Sequence, residues 1–167
     1  MKKIILTIIA AFLLIGCSSS DATNVTVEPK IVVGKSLLNL SLNDQHGKVH
    51  TLTQTTQKLL FALSKDSAHT CNDFFATKDP TYLSSNKTLF IADVSAAPSL
   101  IRSMFIMPGL KDLKHTVLIL DDESVAAPFR LGVDTEKIIA LELQNGTITK
   151  IQTLSSTADV KKFVETH

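Results

Sequence analysis

The chain has 167 residues, of which 44% are hydrophobic and 20% are charged, and its formal net charge is +1. This length and apolar content suit one globular domain with a hydrophobic core, and they argue against a disordered chain. The near-neutral charge gives no electrostatic reason to expect nucleic acid or anionic lipid as a ligand, so we expect no nucleic-acid partner.

Residues 1–16 have the pattern of a secretory signal peptide. Lys2 and Lys3 precede an apolar run at 4–15, which is shorter than the roughly 20 residues that a permanent membrane-spanning helix needs. The run ends in LIGC, which closely resembles the lipobox of bacterial lipoproteins. That resemblance implies cleavage before Cys17 and attachment of fatty-acyl chains such as palmitate to this cysteine. Two or three chains would anchor the protein to a membrane almost permanently.

The resemblance also implies a location in the bacterial cell envelope, facing the periplasm. Ser18 follows the cysteine where an aspartate would favour the inner membrane, so the outer membrane is the expected site. Loss of residues 1–16 removes Lys2 and Lys3 and no acidic residue, which changes the net charge from +1 to −1. Once Cys17 carries lipid, Cys71 remains as a lone thiol and no intrachain disulfide is expected. The lipidated cysteine and a polar, flexible tether occupy 17–30, and one folded domain occupies 31–167.

The domain alternates between strand and helix patterns. Strands are predicted at 37–42, 48–52, 58–63, 88–94, 115–120, 138–143 and 147–154. The first two form a hairpin, and the last two flank the strong turn signal Asn145-Gly146. Helices are predicted from a cap at Asp66 or Ser67 to about 77, from Ser95-Ala96-Ala97-Pro98 to Pro108-Gly109, at 122–131, and from a capping box at 156–159 onward. This order requires a mixed sheet with helices on both faces.

Two further features are assigned from the pattern of side chains. An apolar stripe is expected to pack mainly in the core, with a partner-binding surface as the alternative; it comprises Leu100, Ile101, Met104, Phe105, Ile106 and Met107. Carboxylates near the ends of the strands are expected to act as helix caps or solvated turn residues; they are Asp66, Asp93, Asp121 and Asp122. A structural pair between Asp93 and Arg102 is also predicted.

The segment 131–164, LGVDTEKIIALELQNGTITKIQTLSSTADVKKFV, resembles the C-terminal part of thioredoxin. The hairpin NDQHGKVHTL is similar to that of peroxiredoxin-like, TlpA-like and Sco-like proteins, and ADVSAAPSLIRSMFIMPGLKD resembles a segment of uncharacterised bacterial thioredoxin-like proteins. These resemblances imply a thioredoxin-like α/β fold with three layers, α/β/α, a mixed central sheet and an extra N-terminal β-hairpin.

The thioredoxin family carries two cysteines, three residues apart, at the start of a helix, and a cis-proline beside them. Aligned with that motif, Ala68 takes the attacking position, Cys71 takes the resolving position and Lys137 takes the place of the proline. We therefore expect a trans Glu136–Lys137 bond, because a cis bond before a non-proline residue costs roughly 3–4 kcal/mol. Ordinary dithiol exchange is not expected of this site.

No cofactor is expected for this protein, and three interpretations of its function remain open at this stage. The first is a non-catalytic binding or scaffold module with a protein partner in the envelope, in which Cys71 is a buried structural thiol. The second is a monothiol oxidoreductase that uses Cys71, with His69 and Lys137 nearby by resemblance. The third is a Sco-like copper protein with His69, Cys71 and His115 as weak candidate ligands. Motifs for nucleotides, flavins and serine hydrolases are absent from the sequence.

Overall fold

The structure is a computed structural model that describes residues 27–166. The signal peptide, Cys17 and most of the tether lie outside the described residues. The strands are β1 (Ser41–Asn43), β2 (Val49–Thr51), β3 (Lys58–Ala62), β4 (Thr88–Asp93), β5 (Leu118–Leu120), β6 (Ile138–Gln144) and β7 (Thr147–Leu154). The helices are α1 (Lys65–Ala76), α2 (Tyr82–Ser85), α3 (Ser99–Ile101), a π-helical segment (Arg102–Ile106), α4 (Met107–Lys111), α5 (Glu123–Arg130) and α6 (Thr157–Glu165). We refer to the continuous run from α3 to α4 as the 99–111 helix.

The central sheet has five strands in the order β5-β4-β3-β6-β7. Strands β3, β4 and β5 are parallel, whereas β6 is antiparallel to β3 and β7 is antiparallel to β6. All five residues of β3 are buried, as expected for a central strand with both faces covered. The carboxyl ends of the three parallel strands therefore lie at one edge of the sheet, where α/β folds place their sites.

Two hydrophobic clusters cover the two faces of the sheet. One cluster joins the sheet to α1, the 99–111 helix and α6, with Cys71, Phe75 and Leu110 among its members. The other joins it to α5 and the N-terminal segment, and there the rings of Phe61 and Phe129 stack at 5.2 Å. The three layers confirm the predicted fold class.

The hairpin of β1 and β2 forms the predicted extra two-stranded sheet. The Gln45 side chain joins its loop to the chain ahead of β5: Nε2 donates to the His115 carbonyl at 2.8 Å, and Oε1 accepts from the Val117 amide at 2.9 Å. The Gln45 side chain therefore makes the hydrogen bonds that a neighbouring strand would make here. Strand β5 begins only at Leu118 and is shorter than the strand predicted over 115–120.

The 99–111 helix differs most from the prediction. It begins at Ser99 instead of Ser95, with Pro98 at the N-cap, and it continues past Pro108 and Gly109. Pro108 lies in the first turn of α4, directly after the π-helical segment. The helix continues through this proline at a point where the hydrogen bonding already departs from the α-helical pattern, because the Met107 amide bonds the Arg102 carbonyl five residues earlier. Helix α2 was not predicted, since a single turn leaves no periodic signal. Within residues 27–166, no helix is both long and apolar enough to cross a membrane.

Candidate functional site

Helix α1 begins at Ser64 and Ser67, and the side chain of each accepts a hydrogen bond from the backbone amide of the other. Ser64 is the N-cap: its side chain accepts from the Ser67 amide at 3.3 Å, while the Ser67 hydroxyl accepts from the Ser64 amide at 3.1 Å. The two hydroxyl oxygens are also 3.1 Å apart. The predicted cap at Asp66 or Ser67 is therefore wrong. Because β3 ends at Ala62, only Leu63 separates the strand from the cap, and the helix starts earlier than expected.

The earlier start moves Ala68 and Cys71 into the second turn of α1. Cys71 is completely buried in the core cluster beneath this helix, and Ala68 packs against the same cluster. Burial raises the pKa of the Cys71 thiol to about 12 because the thiolate would be desolvated. The sulfur is therefore a neutral, sheltered thiol at neutral pH, and no free amide groups of the helix start lie beside it.

Ser64 and Ser67 have the spacing of the cysteine pair of the thioredoxin family and likewise lie at the start of a helix. They are three residues apart at the start of a helix that follows a buried parallel strand, and Ser67 is the shielded member at 3% exposure. Hydroxyl groups cannot take part in disulfide exchange, which needs a thiolate. The sequence contains the signal for this site in the pattern Ser-x-x-Ser directly after the strand. The same spacing also fits Ala68 and Cys71, and the presence of a cysteine favours that position in the sequence.

The carboxylate Asp93 pairs with Arg130, which corrects the predicted pair with Arg102. Arg130 Nε donates to Asp93 Oδ2 at 2.7 Å, its Nη1 donates to Glu123 at 2.6 Å, and its Nη2 donates to the Ser95 hydroxyl. The hydrogen bond to Asp93 raises the pKa of the guanidinium above its ordinary value. The Asp93 side chain is only 2% exposed, whereas that of Glu123 is 61% exposed, so this network is a clamp at the end of β4 in which one carboxylate is buried.

Arg102 instead binds the backbone of the loop after β4. Its Nη1 lies 3.3 Å from the Val94 carbonyl and 3.4 Å from the Ser95 carbonyl. Asp122 caps α5 by accepting from the Ser124 amide at 2.7 Å, as predicted. The charged groups at this edge of the sheet therefore position loops and helix ends.

His115, the third weak candidate ligand, lies in the core. It is 2% exposed, packs against the rings of Phe75 and Phe90, and contacts Asn72 Oδ1 through Nε2 at 3.0 Å. Its Nδ1 is buried without a hydrogen-bond partner. Burial lowers the pKa of His115 to about 4, because the charged imidazolium would be desolvated.

The other candidate residues do not form a common site with Cys71. His69 is exposed on α1, whereas Cys71 is completely buried. Lys137 is exposed, and it precedes Ile138, whose partner across the sheet is Ala62, so it lies near the beginning of α1. The Glu136–Lys137 bond is trans, as predicted. Among residues 27–166, no group of three or more His, Cys, Asp or Glu side chains is arranged to hold a metal ion.

The apolar stripe is divided between the core and the solvent. Ile106 and Met107 pack against the core cluster, but the start of the 99–111 helix faces outward. Its exposed residues are Leu100 at 64%, Ile101 at 44%, Met104 at 58% and Phe105 at 65%. We call these four residues the exposed apolar face. The preferred prediction of a core position is wrong for them, and the alternative of a binding surface remains.

A cavity of about 630 Å³ lies far from the beginning of α1. It is an open groove with a largely polar lining between β6, β7 and α6. Lys58 closes one side of it by donating to the carbonyls of Val164, at 2.7 Å, and Thr166. Because Lys58 begins β3 and Ser64 follows its end, this groove lies at the opposite end of the strand.

Solved bacterial structures share this arrangement of strands and helices. A proposed protein disulfide isomerase from Bacteroides thetaiotaomicron aligns with a TM-score of 0.52 over 84% of this chain and 95% of that chain, at 11% identity. A proposed thiol:disulfide interchange protein DsbE from Chlorobium tepidum gives 0.53 over 80% and 95%, at 12% identity. StoA from Bacillus subtilis gives 0.51 over 80% and 98%, at 10% identity.

A scan against protein-family models and a search of curated protein sequences each gave no match. At these low identities the structural likeness establishes the fold alone. The protein has a thioredoxin-like fold, as the sequence predicted. The helix start at which such a fold would hold a cysteine pair contains Ser64 and Ser67.

Proposed function

We propose that the protein is a lipid-anchored binding module of the bacterial cell envelope and that it performs no thiol–disulfide exchange. Its expected partner is another protein of the envelope. One observation carries this proposal: Ser64 and Ser67 occupy the start of α1, while Cys71 is buried one turn further along.

The burial of Cys71 weighs against the redox alternative. Burial raises the pKa of this thiol to about 12, so little of the reactive thiolate form is present at pH 7. The sulfur also has no surface through which a disulfide substrate could approach it. The copper alternative has equally little support, because exposed His69 and buried Cys71 do not share a site.

The lipid anchor is supported by the N-terminal sequence. Lys2, Lys3 and the apolar run before LIGC have the order of a lipoprotein signal peptide, and a polar segment separates Cys17 from the folded domain. Metabolic labelling with a palmitate analogue tests this part of the proposal. We expect label on the wild-type chain and none on Cys17→Ser, and equal labelling of both chains would contradict it.

The absence of thiol–disulfide exchange is tested by introducing a cysteine pair at one of two places, either residues 64 and 67 or residues 68 and 71. The double variant Ser64→Cys/Ser67→Cys places thiols where two hydroxyl oxygens now lie 3.1 Å apart. We expect it to form a disulfide and to reduce insulin. The matched control Ala68→Cys creates a pair with Cys71 inside the helix, where residues three apart have Cβ atoms about 5–6 Å from each other. That separation exceeds disulfide geometry, so we expect no activity.

The wild-type chain should be inactive in the same insulin assay. Alkylation of Cys71 should also be at least about 100-fold slower in the folded protein at pH 8 than in urea, because burial suppresses the thiolate. The proposal is wrong if the wild-type chain reduces insulin, or if Cys71 reacts as fast when folded as when unfolded. If Ala68→Cys gains activity and the Ser64→Cys/Ser67→Cys variant does not, residues 68 and 71 are the position of the redox pair, and residues 64 and 67 are not.

A further inference from the structure

Strand β7 lies at one edge of the central sheet, and only its first residues are covered on the outer side. The segment 34–36 runs antiparallel to them: the Ile148 amide donates to the Lys35 carbonyl at 3.0 Å, and the Gly34 amide donates to the Ile148 carbonyl at 2.8 Å. In the part of the chain that the structure describes, no other main chain pairs with 149–154 on that side. We call 149–154 the open edge.

The register of β6 and β7 shows which main-chain groups of the open edge lack a partner. The Leu143 amide donates to the Gln57 carbonyl at 2.7 Å, so Leu143 and every second residue from it bond towards β3. The residues between them bond towards β7, and their partners there are Lys150, Gln152 and Leu154. The N–H and C=O groups of Ile151 and Thr153 therefore point away from the sheet. Such unpaired groups are a template for another chain.

The groove between β6, β7 and α6 includes most of the open edge in its lining, and its lysines outnumber its carboxylates. The lysines are Lys58, Lys150 and Lys162, and the carboxylates are Glu142 and Asp159. Glu142 is bound by Lys150 at 2.8 Å, and Asp159 is occupied at the cap of α6. Among the described residues, Lys58 and Lys162 form no ion pair. The groove therefore favours negatively charged groups.

A second copy of the chain fits the open edge poorly. To use the outward groups of both copies, Ile151 of one copy would have to pair with Thr153 of the other. This register brings Ser156 opposite Ile148, where the segment 34–36 already lies. Helix α6 begins directly after Ser156, so the second copy cannot turn aside there without disturbing its own fold. A separate extended segment has no helix at its end and can stop beside the segment 34–36.

We propose that the open edge binds an extended acidic segment of another protein as an added strand, antiparallel to β7. This inference rests on the proposed binding role and names the surface that carries it. Main-chain hydrogen bonds to Ile151 and Thr153 supply affinity, as in other cases of strand addition. Side chains alternate along a strand, so every second residue of the segment lies over the groove beside Lys150. Those residues are acidic, and the residues between them are β-branched and lie beside Ile151 and Thr153.

Short synthetic peptides test the proposal before any partner is known. The probe is a fluorescein-labelled peptide of alternating glutamate and valine, and we expect the full, processed chain in detergent to raise its fluorescence anisotropy. The valine amides face β7 in the proposed pairing, so methylating the valine nitrogens should weaken binding at least about tenfold. The matched control carries the methyl groups on the glutamate nitrogens, which point away, and should bind like the parent peptide. A peptide of alternating lysine and valine should also bind at least about tenfold more weakly.

Variants of the protein test the same contacts from the other side. Thr153→Pro removes one outward N–H, and proline is tolerated at an edge because this N–H makes no bond to β6. We expect at least about tenfold weaker binding of the glutamate peptide, whereas Thr153→Ala keeps the N–H and should bind like wild type. Lys162→Glu changes an exposed residue of the groove. It should weaken binding of the glutamate peptide and strengthen binding of the lysine peptide.

Each possible result decides the proposal. Equal binding of the two methylated peptides, or equal binding by Thr153→Pro and Thr153→Ala, would overturn it, and the methylated peptides decide alone if Thr153→Pro does not fold. If the glutamate peptide does not bind while the wild-type chain stays inactive towards insulin, strand addition is wrong and the proposed binding role stands. Reduction of insulin by the wild-type chain would instead overturn the proposed function. A dimer that Thr153→Pro dissociates would assign the open edge to a second copy and refute the proposal.

Discussion

The beginnings of α1 and of the 99–111 helix occupy equivalent places in the fold, but their surfaces differ. Each helix follows a parallel strand, β3 or β4, at the edge of the sheet where α/β folds place their sites. At α1, the side chains of Ser64 and Ser67 hydrogen-bond to each other, and the Cys71 thiol is buried in the core. At the 99–111 helix, Pro98 provides no side-chain cap, and large apolar groups remain exposed.

This difference indicates which of the two sites can still interact. Because the backbone amides and hydroxyl groups of Ser64 and Ser67 already bond to each other, this helix start offers a substrate few free donors, and it carries no thiolate nucleophile. Exposed apolar side chains, in contrast, contribute nothing to folding and gain free energy only when a ligand covers them. The comparison therefore places the useful surface one β-α unit away from the position of a thioredoxin-like cysteine pair.

The largest expected effect concerns the clamp that holds the loop before the 99–111 helix. Arg130→Met removes the partner of Asp93, whose side chain is 2% exposed, and leaves a buried carboxylate without its cation. We expect the free energy of unfolding to fall by about 3 kcal/mol, the lower end of the range for a broken buried ion pair, because Arg130 is partly exposed. Urea denaturation measures this loss.

The matched control for this prediction is Lys150→Met. It breaks an ion pair with Glu142 at 2.8 Å in which both side chains are well exposed. Such a pair contributes less than about 1 kcal/mol. Equal losses in the two variants would show that the loop after β4 is not held by a buried charge, and the contrast between the two helix starts would lose its structural basis.

A smaller effect concerns His115, which connects the two helices being compared. It follows the 99–111 helix in sequence and contacts Asn72 of α1. The unfolded chain binds a proton at this histidine below about pH 6.5, whereas the folded chain binds it only below about pH 4. The unfolded state therefore holds more protons between these values, and stability falls as the pH is lowered. The expected loss from pH 7.5 to pH 5 is about 2 kcal/mol.

The variant His115→Phe isolates this contribution. It keeps an aromatic ring between Phe75 and Phe90 and removes the titrating group. The difference in stability between wild type and variant should grow in the variant's favour as the pH falls from 7.5 to 5. A pH dependence identical in the two proteins would mean that His115 is hydrated in the folded state.

The sequence predicted those elements whose signals are local. Asn145-Gly146 marks a hairpin, and Ser156 caps α6 by accepting from the Asp159 amide, as predicted. The start of α1 was misplaced because Ser64, Asp66 and Ser67 are all good caps. Only the end of β3 at Ala62 decides among them.

The remaining errors depend on tertiary structure. The pair of Arg130 and Asp93 joins residues 37 positions apart, and no local pattern distinguishes it from the nearer pair with Arg102. The stripe at 100–107 is apolar nearly all round, so its periodicity does not show which side meets the sheet. The π-helical segment further changes the period on which such a prediction relies.

A still smaller effect is expected at the α1 cap. Ser64→Ala removes the acceptor for the Ser67 amide and a partner of the buried Ser67 hydroxyl, so we expect a loss of about 1–2 kcal/mol. The matched control, Ser99→Ala, changes an exposed serine in the first turn of the 99–111 helix and should cost less than about 0.5 kcal/mol. Thermal unfolding of both variants measures the difference. If both cost the same, the serine pair is not what stabilises this helix start.

The smallest expected effect is the most informative about the exposed apolar face. Phe105→Ser should change the free energy of unfolding by less than about 0.5 kcal/mol, because a ring that is 65% exposed loses little packing when it is removed. Leu110→Ala, on the buried side of the same helix at 8% exposure, should cost about 2–5 kcal/mol in the same measurement. A loss above about 1 kcal/mol for Phe105→Ser would mean that the ring is already covered in solution. A large aromatic side chain that is kept exposed without benefit to the fold is best explained by what it binds.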